Sequence, residues 1–127
     1  SKKLPQRAKA KDLYISPLFN LNVKYAEKLT PDDIFILSAK HGLLGLEEEV
    51  DPYDKTLNEM PAAEVKDWAK GVAKQLKAIC SLEDSVITFL AGAKYRKYLT
   101  PHLRKFEVPL EGLGIGKQLQ KLRGLVK

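Results

Sequence analysis

Two short runs of consecutive apolar residues predict buried β-strands. Residues 33–38 read Asp-Ile-Phe-Ile-Leu-Ser, and residues 85–90 read Ser-Val-Ile-Thr-Phe-Leu. Both runs are apolar at successive positions, a pattern typical of strands that helices cover on both faces. A weaker third strand is predicted at residues 105–108, where Pro109 ends the run.

Apolar residues that recur every three or four positions predict four helices, at about 16–29, 61–79, 93–105 and from 115 onward. The first begins at Ser16, a good N-cap residue, with Pro17 at the first helical position. The second has the strongest periodicity. The third is expected to break or kink near Pro101.

The order of these elements predicts an α/β fold in which a short, mostly parallel sheet carries helices on both faces, a three-layer α/β/α arrangement. The 127 residues suit a single domain spanning 1–127. Residues 1–12 form a basic arm that is too polar for a strand. We therefore expect either a partly disordered arm or a first strand that is missing from this chain. Residues 39–60 are expected to form a long, functional or disordered loop.

Charge and composition narrow the classes of function. The chain has 22 lysines and arginines against 16 acidic residues, a net charge of +6. Such an excess permits a nucleic-acid partner, and a merely solvated basic surface is an equal alternative. The single cysteine, Cys80, is typical of a reducing compartment, so we expect a cytoplasmic protein. No apolar run approaches a membrane span, and we expect no membrane association.

The first candidate for chemistry is the segment Ser38-Ala-Lys-His-Gly-Leu-Leu44, which follows a predicted strand. Ligands of open α/β sheets bind where strands end, so Ser38 is expected to contact a substrate. His41 is a candidate general acid or base, and Lys40 a candidate anion-binding and catalytic residue. The alternative for His41 is a loop residue that only forms hydrogen bonds.

The second candidate is the segment of residues 51–58, which contains Pro52. Tyr53 on this stiffened loop is expected to stack on a base or sugar. Asp54 is a candidate catalytic carboxylate that activates water. Equally, Asp54 and Thr56 are expected turn-forming residues whose side chains satisfy the loop backbone.

Glycines precede two predicted helices, and each helix start is a candidate anion site. The expected substrate-binding residues there are Gly92, Tyr95, Arg96, Gly114, Lys117 and Lys121. The alternative for the glycines near residue 114 is close packing of the helix on the sheet. Neither a phosphate-loop nor a dinucleotide motif is complete. We predict no cofactor, and no metal either, because His41 and His102 lie far apart in the chain.

An ordered set of motifs makes the chain resemble an uncharacterised domain family of bacteria and phages, of the DUF6884 type. The motifs are Ala10-Lys-Asp-Leu-Tyr14, Ser16-Pro-Leu-Phe19, Ser38 to Leu44, Pro52-Tyr-Asp54 with Thr56-Leu57, Leu90-Ala-Gly92 with Tyr95-Arg96, and Pro109 to Gly116. Members typically begin with an apolar strand and a Ser-Cys-Ser-Lys turn, which this sequence lacks. More distantly, the layout is similar to the DNA-binding peroxide-stress protein YaaA and to folds of the uracil-DNA glycosylase type. The resemblance implies a nucleic-acid or nucleobase context.

The leading hypothesis is therefore a nucleic-acid-associated domain that recognises or excises a nucleobase. Phosphates are expected along Lys94, Arg96, Lys117 and Lys121, and the base between Lys40–His41 and Tyr53–Asp54. The alternatives are an enzyme acting on a free nucleotide or small phosphorylated molecule, and a non-catalytic interaction module. The oligomeric state is left open.

Overall fold

The computed structural model describes residues 3–127, which form short strands interspersed with helices. The elements in chain order are β1 (Ala8–Lys9), α1 (Ala10–Leu13), α2 (Pro17–Lys28), β2 (Phe35–Ser38), β3 (Gly42–Gly45), β4 (Glu49–Val50), α3 (Ala62–Ile79), β5 (Ile87–Thr88), α4 (Ala93–Arg96), β6 (Phe106–Glu107) and α5 (Ile115–Leu125). Two 3₁₀ turns lie at Leu57–Glu59 and Thr100–His102.

Within residues 3–127 the strands pair as three two-stranded sheets, β1 with β4, β2 with β3, and β5 with β6. The first pair is antiparallel and the third is parallel. The predicted mixed α/β class is confirmed, whereas the structure supports neither a mostly parallel sheet nor a three-layer arrangement. The physical reason is exposure, since Phe35 is 38% and Val86 55% exposed. The apolar pattern predicted that helices cover both faces of these two runs, and this exposure shows that they do not.

The predicted helices are largely confirmed. α2 begins where expected, with the Ser16 hydroxyl accepting a 3.2 Å hydrogen bond from the Phe19 N–H. The third predicted helix is indeed interrupted, because α4 ends at Arg96 and a separate 3₁₀ turn contains Pro101. Proline lacks an N–H and clashes with the preceding turn, which accounts for the break.

The described part of the basic arm, residues 3–12, contains β1, so the prediction that the arm is too polar for a strand is wrong. Ala10 and Leu13 are fully buried. The Leu4 N–H donates to the Leu13 carbonyl at 2.8 Å, and the Ala10 N–H donates to the Glu48 carbonyl at 2.7 Å. Residues 1 and 2 lie outside the described part.

The prediction of one long loop over residues 39–60 is wrong. This stretch contains β3, β4 and the 3₁₀ turn at Leu57–Glu59. Residues 39–41 alone connect β2 to β3, and so short a connection joins antiparallel neighbours. We call residues 39–41 the β2–β3 turn.

The chain divides into two compact units. The first unit comprises the N-terminal segment through Ile36, Leu44–Tyr53 and Leu110–Lys127, and the second comprises Leu37–Leu43 and Asp54–Pro109. The prediction of a single domain stays a prediction. In the first unit, one buried cluster gathers residues of α1 and its C-cap, β2, β3 and β4, namely Ala10, Leu13, Tyr14, Ile36, Leu44 and Val50.

The second unit has two buried clusters. The larger one joins the inner face of α3 to Phe89, Leu99 and Leu103. The smaller one consists of Ala39, Leu57, Met60 and Val65, and we call it the site cluster. In the described part of the chain, no helix has both the length and the apolar composition that a bilayer crossing demands.

Candidate nucleic-acid interface

Three of the four predicted functional segments border the site cluster of the second unit. Ala39 comes from the β2–β3 turn, Leu57 follows Asp54 in the chain, and Tyr95 of α4 packs against the cluster. Residues distant in sequence are therefore brought together here, whereas Tyr53 belongs to the first unit. The fourth segment, around Gly114, belongs to the first unit.

Ser38 stabilises the β2–β3 turn rather than facing outward. It is 1% exposed. Its hydroxyl accepts hydrogen bonds from the backbone N–H groups of Lys40 at 3.3 Å and His41 at 3.1 Å. The indole N–H of Trp68 donates to the Ser38 carbonyl at 2.9 Å. Ser38 therefore has a structural role, and its buried hydroxyl does not suit the predicted substrate contact.

Gln75 of α3 braces the same turn from a second direction. Its side-chain oxygen accepts from the Leu43 N–H at 3.0 Å, and its amide nitrogen donates to the His41 carbonyl at 3.3 Å. Gly42 has φ +74°, a left-handed backbone conformation that residues with a Cβ rarely adopt. The turn therefore requires glycine at this position, and it presents the exposed side chains of Lys40 and His41 on a rigid support.

The segment containing Asp54 confirms one half of the turn-forming alternative. The Thr56 hydroxyl accepts from the Asn58 N–H at 3.3 Å and begins the 3₁₀ turn. Asp54 itself is exposed. The Lys94 ammonium donates to the Asn58 carbonyl at 3.4 Å, so this segment and α4 are in direct contact.

Of the residues predicted around α4, two have packing or backbone partners. The Tyr95 ring lies edge-to-face on Trp68, with ring centroids 5.7 Å apart. The Arg96 Nε donates to the Ala91 carbonyl at 3.0 Å, across the start of its own helix. Gly92 is exposed, directly before α4.

Tyr53 belongs to the first unit, whose boundary with the second falls between Tyr53 and Asp54. Its hydroxyl is hydrogen-bonded to the Tyr14 hydroxyl, and the two rings meet edge-to-face. The Lys3 ammonium lies 4.7 Å from the centre of the Tyr53 ring. Tyr53 thus packs beside the core of the first unit, and a base stacking on it would compete with Lys3.

The glycines just before α5 and in its first turn are open to solvent. A Cβ placed at Gly112, Gly114 or Gly116 would meet no atom within 4 Å. The alternative of close helix packing is therefore wrong for these positions. Lys117 and Lys121 are both exposed, one helical turn apart on α5.

A row of four lysines on α3 was missed by the sequence reasoning. Lys66, Lys70, Lys74 and Lys77 are all exposed, and we call them the lysine row. At 3.6 residues per turn they follow one flank of the helix for about 16 Å. Their spacing of three or four residues is visible in the sequence, but the prediction for this helix rested on its apolar positions alone.

Tyr98 extends the lysine row onto the segment that follows α4. The ammonium groups of Lys66 and Lys97 lie 5.4 and 5.3 Å from the centre of its ring. A ring face attracts cations through its quadrupole, so one half-buried tyrosine holds two lysines from separate segments side by side.

The lysine row is not neutralised by nearby acids. Among residues 3–127, no carboxylate lies within 4.0 Å of an ammonium of the row or of Lys97, and Glu64 pairs instead with Lys55 at 3.8 Å. Between Lys66 and Lys77 the sequence has four lysines and one acidic residue, Asp67. This flank therefore keeps a net positive charge.

The lysine row and the β2–β3 turn lie on opposite flanks of α3. Trp68 and Gln75, which brace the turn, are about half a helical turn away from the lysines around the axis. The residues predicted for catalysis and the residues best placed for phosphates are thus separated by the width of a helix.

Taken together, the second unit is a mixed α/β structure with a braced turn on one flank of its longest helix and an unneutralised basic surface on the other. No His, Cys, Asp and Glu residues of the described chain form a group of three or more able to hold a metal ion. The chain belongs to the family of unknown function DUF6884, whose model matches residues 1–124. No curated protein and no solved structure matches it significantly.

Proposed function

We propose that this protein binds the backbone of a nucleic acid through the lysine row and Lys97 in its second unit. The observation that carries the proposal is the row itself, four exposed lysines on one flank of α3 that have no acidic partner among residues 3–127.

The physical basis is the release of counterions from phosphates. Each lysine that neutralises a phosphate frees condensed cations, which contributes affinity without reading the base sequence. Successive lysines of the row are about 6 Å apart along the helix axis. A straight helix flank of this kind suits a linear polyanion better than a compact phosphorylated molecule, which would occupy one or two lysines only.

Tyr98 favours a binding surface over a merely solvated one. Two like charges repel each other, yet Lys66 and Lys97 share one ring. The ring offsets this repulsion and restricts two otherwise flexible side chains, so less conformational entropy is lost when a phosphate binds between them.

Binding to fluorescently labelled duplex and single-stranded oligonucleotides, measured by anisotropy across a salt series, tests this function. If the four lysines of the row each contact one duplex phosphate, log K falls with log salt with a slope of about −3.6. Replacing Lys70 and Lys74 by glutamine should reduce that slope by about 1.8. An unchanged slope and affinity in this variant would contradict the proposed surface.

The same measurement separates the alternatives. An enzyme acting on a free nucleotide would bind oligonucleotides with little salt dependence, and free nucleotides would compete at equal phosphate concentration. A non-catalytic module for another protein would bind neither.

Excision of a nucleobase is a second, separate proposal. The hydrogen bonds from Trp68 and Gln75 that hold the β2–β3 turn in place favour this proposal, since residues on a well-held loop are suited to binding or catalysis. In this mechanism Asp54 orients a water molecule and stabilises positive charge on the sugar, while His41 or Lys40 stabilises the leaving base.

Release of free base from a labelled oligonucleotide tests this chemistry. Both Asp54→Asn and His41→Ala should abolish release while leaving the melting temperature within a few degrees of wild type. A large loss of stability instead would assign a structural role to that residue. Full activity in both variants would remove this mechanism.

A further inference from the structure

The outer edge of β6 has its backbone groups directed away from its sheet. The Ile87 N–H donates to the Lys105 carbonyl at 3.1 Å, and the Phe89 N–H donates to the Glu107 carbonyl at 2.8 Å. Residues alternate in direction along a strand, so Phe106 and Val108 turn their N–H and C=O groups outward. Within residues 3–127, this sheet has only two strands, and none lies beside that edge.

The side chains at this edge are arranged in two faces. Phe106 is 44% exposed and meets Phe89 edge-to-face, with ring centroids 6.3 Å apart, at the border of the larger core cluster. Lys105 and Glu107 are exposed and point to the opposite face. An exposed edge with an apolar residue is a template for pairing with another strand.

We propose that β6 pairs with β6 of a second copy of this chain, antiparallel and centred on Phe106. The backbone N–H and C=O groups of Phe106 point away from β5. Phe106 therefore occupies the hydrogen-bonded position on the two-fold axis, where it exchanges both backbone hydrogen bonds with Phe106 of the second copy. This register places Lys105 of each copy opposite Glu107 of the other, in the positions where side chains approach most closely.

Charge excludes the neighbouring registers. Centring the pair on Lys105 would set lysine opposite lysine, and centring it on Glu107 would set glutamate opposite glutamate. A parallel in-register pair would align the same like charges. Like charges directly opposite are destabilising, so only the register centred on Phe106 forms two ion pairs. The interface goes beyond nucleic-acid binding and does not depend on it.

The decisive experiment is a charge swap followed by sedimentation equilibrium over a range of protein concentrations. A strand this short buries little area, so we expect a dimer of micromolar rather than nanomolar affinity. Lys105→Glu and Glu107→Lys should each weaken dimerisation at least about tenfold, because each variant opposes like charges at two sites. The double variant should dimerise like wild type, and an equimolar mixture of the two single variants should form heterodimers.

Circular dichroism melts of both single variants establish that they are folded. A wild-type chain that is monomeric at about millimolar concentration would overturn the interface. So would single variants that dimerise like wild type, or a double variant and a mixture that both stay monomeric.

A cross-link tests the register independently of charge. In a Cys80→Ser background, Phe106→Cys places two thiols on the two-fold axis, with Cα atoms about 5.5 Å apart, within the range of a disulfide. Oxidation should give a covalent dimer. The matched control is Val86→Cys in the same background, because Val86 is at least as exposed but lies just before β5, away from the outer edge of β6. Equal cross-linking at both positions would contradict the register.

Discussion

The N-terminal arm and the lysine row of α3 are both rich in basic residues in the sequence. They differ in the structure, because within the described part of the chain the cations of the arm form ion pairs and those of the row do not. In the arm, Arg7 pairs with Asp51 at 3.2 Å, while Lys9 and Lys11 bind the two oxygens of Glu47 at 2.9 and 2.8 Å. In the row, no described carboxylate lies within ion-pair distance. A count of basic residues therefore overstates the charge that is available to a ligand.

The difference also has a structural side. The arm uses its cations to hold β1 and α1 against the segment of β3 and β4, where Glu47 and Asp51 lie. The row has no such task, since the buried residues of α3 already fix the helix. Cations that stabilise the fold and cations left for binding are separated within one chain.

The largest expected effect comes from removing equal charge from the two segments. Lys66→Gln, Lys70→Gln and Lys74→Gln together should weaken oligonucleotide binding at least about thirtyfold at 0.1 M salt, because three phosphate contacts are lost. The matched control, Arg7→Gln with Lys9→Gln and Lys11→Gln, should change binding less than about threefold. Fluorescence anisotropy measures the oligonucleotide affinity of both variants. Equal losses of affinity would show that the arm contributes to binding as much as the row does.

A smaller effect is expected from the ring that holds two lysines. Tyr98→Leu keeps most of the apolar volume but removes the ring face, so Lys66 and Lys97 lose their positions. We expect about a three- to tenfold loss of oligonucleotide affinity, corresponding to two cation–π contacts. Tyr98→Phe retains the ring and should bind like wild type. If both variants lose affinity equally, the hydroxyl and not the ring face is responsible.

The arm should become a binding segment once its acids are neutralised. Glu47→Gln with Asp51→Asn leaves Arg7, Lys9 and Lys11 without partners, and the salt slope of binding should steepen by up to about 2.7 if each reaches a phosphate. The gain requires that the arm keeps its fold, which circular dichroism checks. An unchanged slope would show that these side chains cannot reach the ligand.

The smallest effect concerns acid stability. Hydrogen bonds and charge from Lys11 and then Lys9 lower the pKa of Glu47 to about 2, and the same contact raises the pKa of Lys11. A carboxyl whose pKa is lowered on folding contributes stability above its ordinary value near 4.5, and this contribution disappears as the pH falls toward 2. Because these groups are exposed, the effect is small.

Thermal melts of wild type and Glu47→Gln at several pH values measure this contribution. We expect a difference in Tm of a few degrees at most at pH 7, which shrinks as the pH falls below about 4. A difference that persists at pH 2 would show that Glu47 acts through packing and not through charge.

The elements with strong local signals could be predicted from the sequence. Ser16 and Pro17 define the start of α2, and Pro101 predicts the break after α4. The strand pairing could not, because it depends on contacts that no local pattern contains. The β2–β3 turn is held by Trp68 and Gln75, about thirty residues further along the chain.

The candidate site was predicted in part. The segments of Ser38, Asp54 and Tyr95 do border one cluster, since strand and helix ends of an α/β unit tend to gather. The roles of Ser38 and Tyr95 could not be predicted, because they depend on contacts with residues elsewhere in the fold. Ser38 is buried beneath the β2–β3 turn, and Tyr95 packs on the indole of Trp68. Predicting the lysine row would have required the spacing of the polar residues on α3 as well as that of the apolar ones.

The indole bonded to the Ser38 carbonyl has a practical consequence. Trp68 is the single tryptophan of the chain and lies in the second unit, between the turn and α4. Its ultraviolet emission therefore follows the surroundings of one unit, whereas far-ultraviolet dichroism follows helices of both. Melting curves from the two signals will coincide only if the whole chain unfolds in one cooperative step.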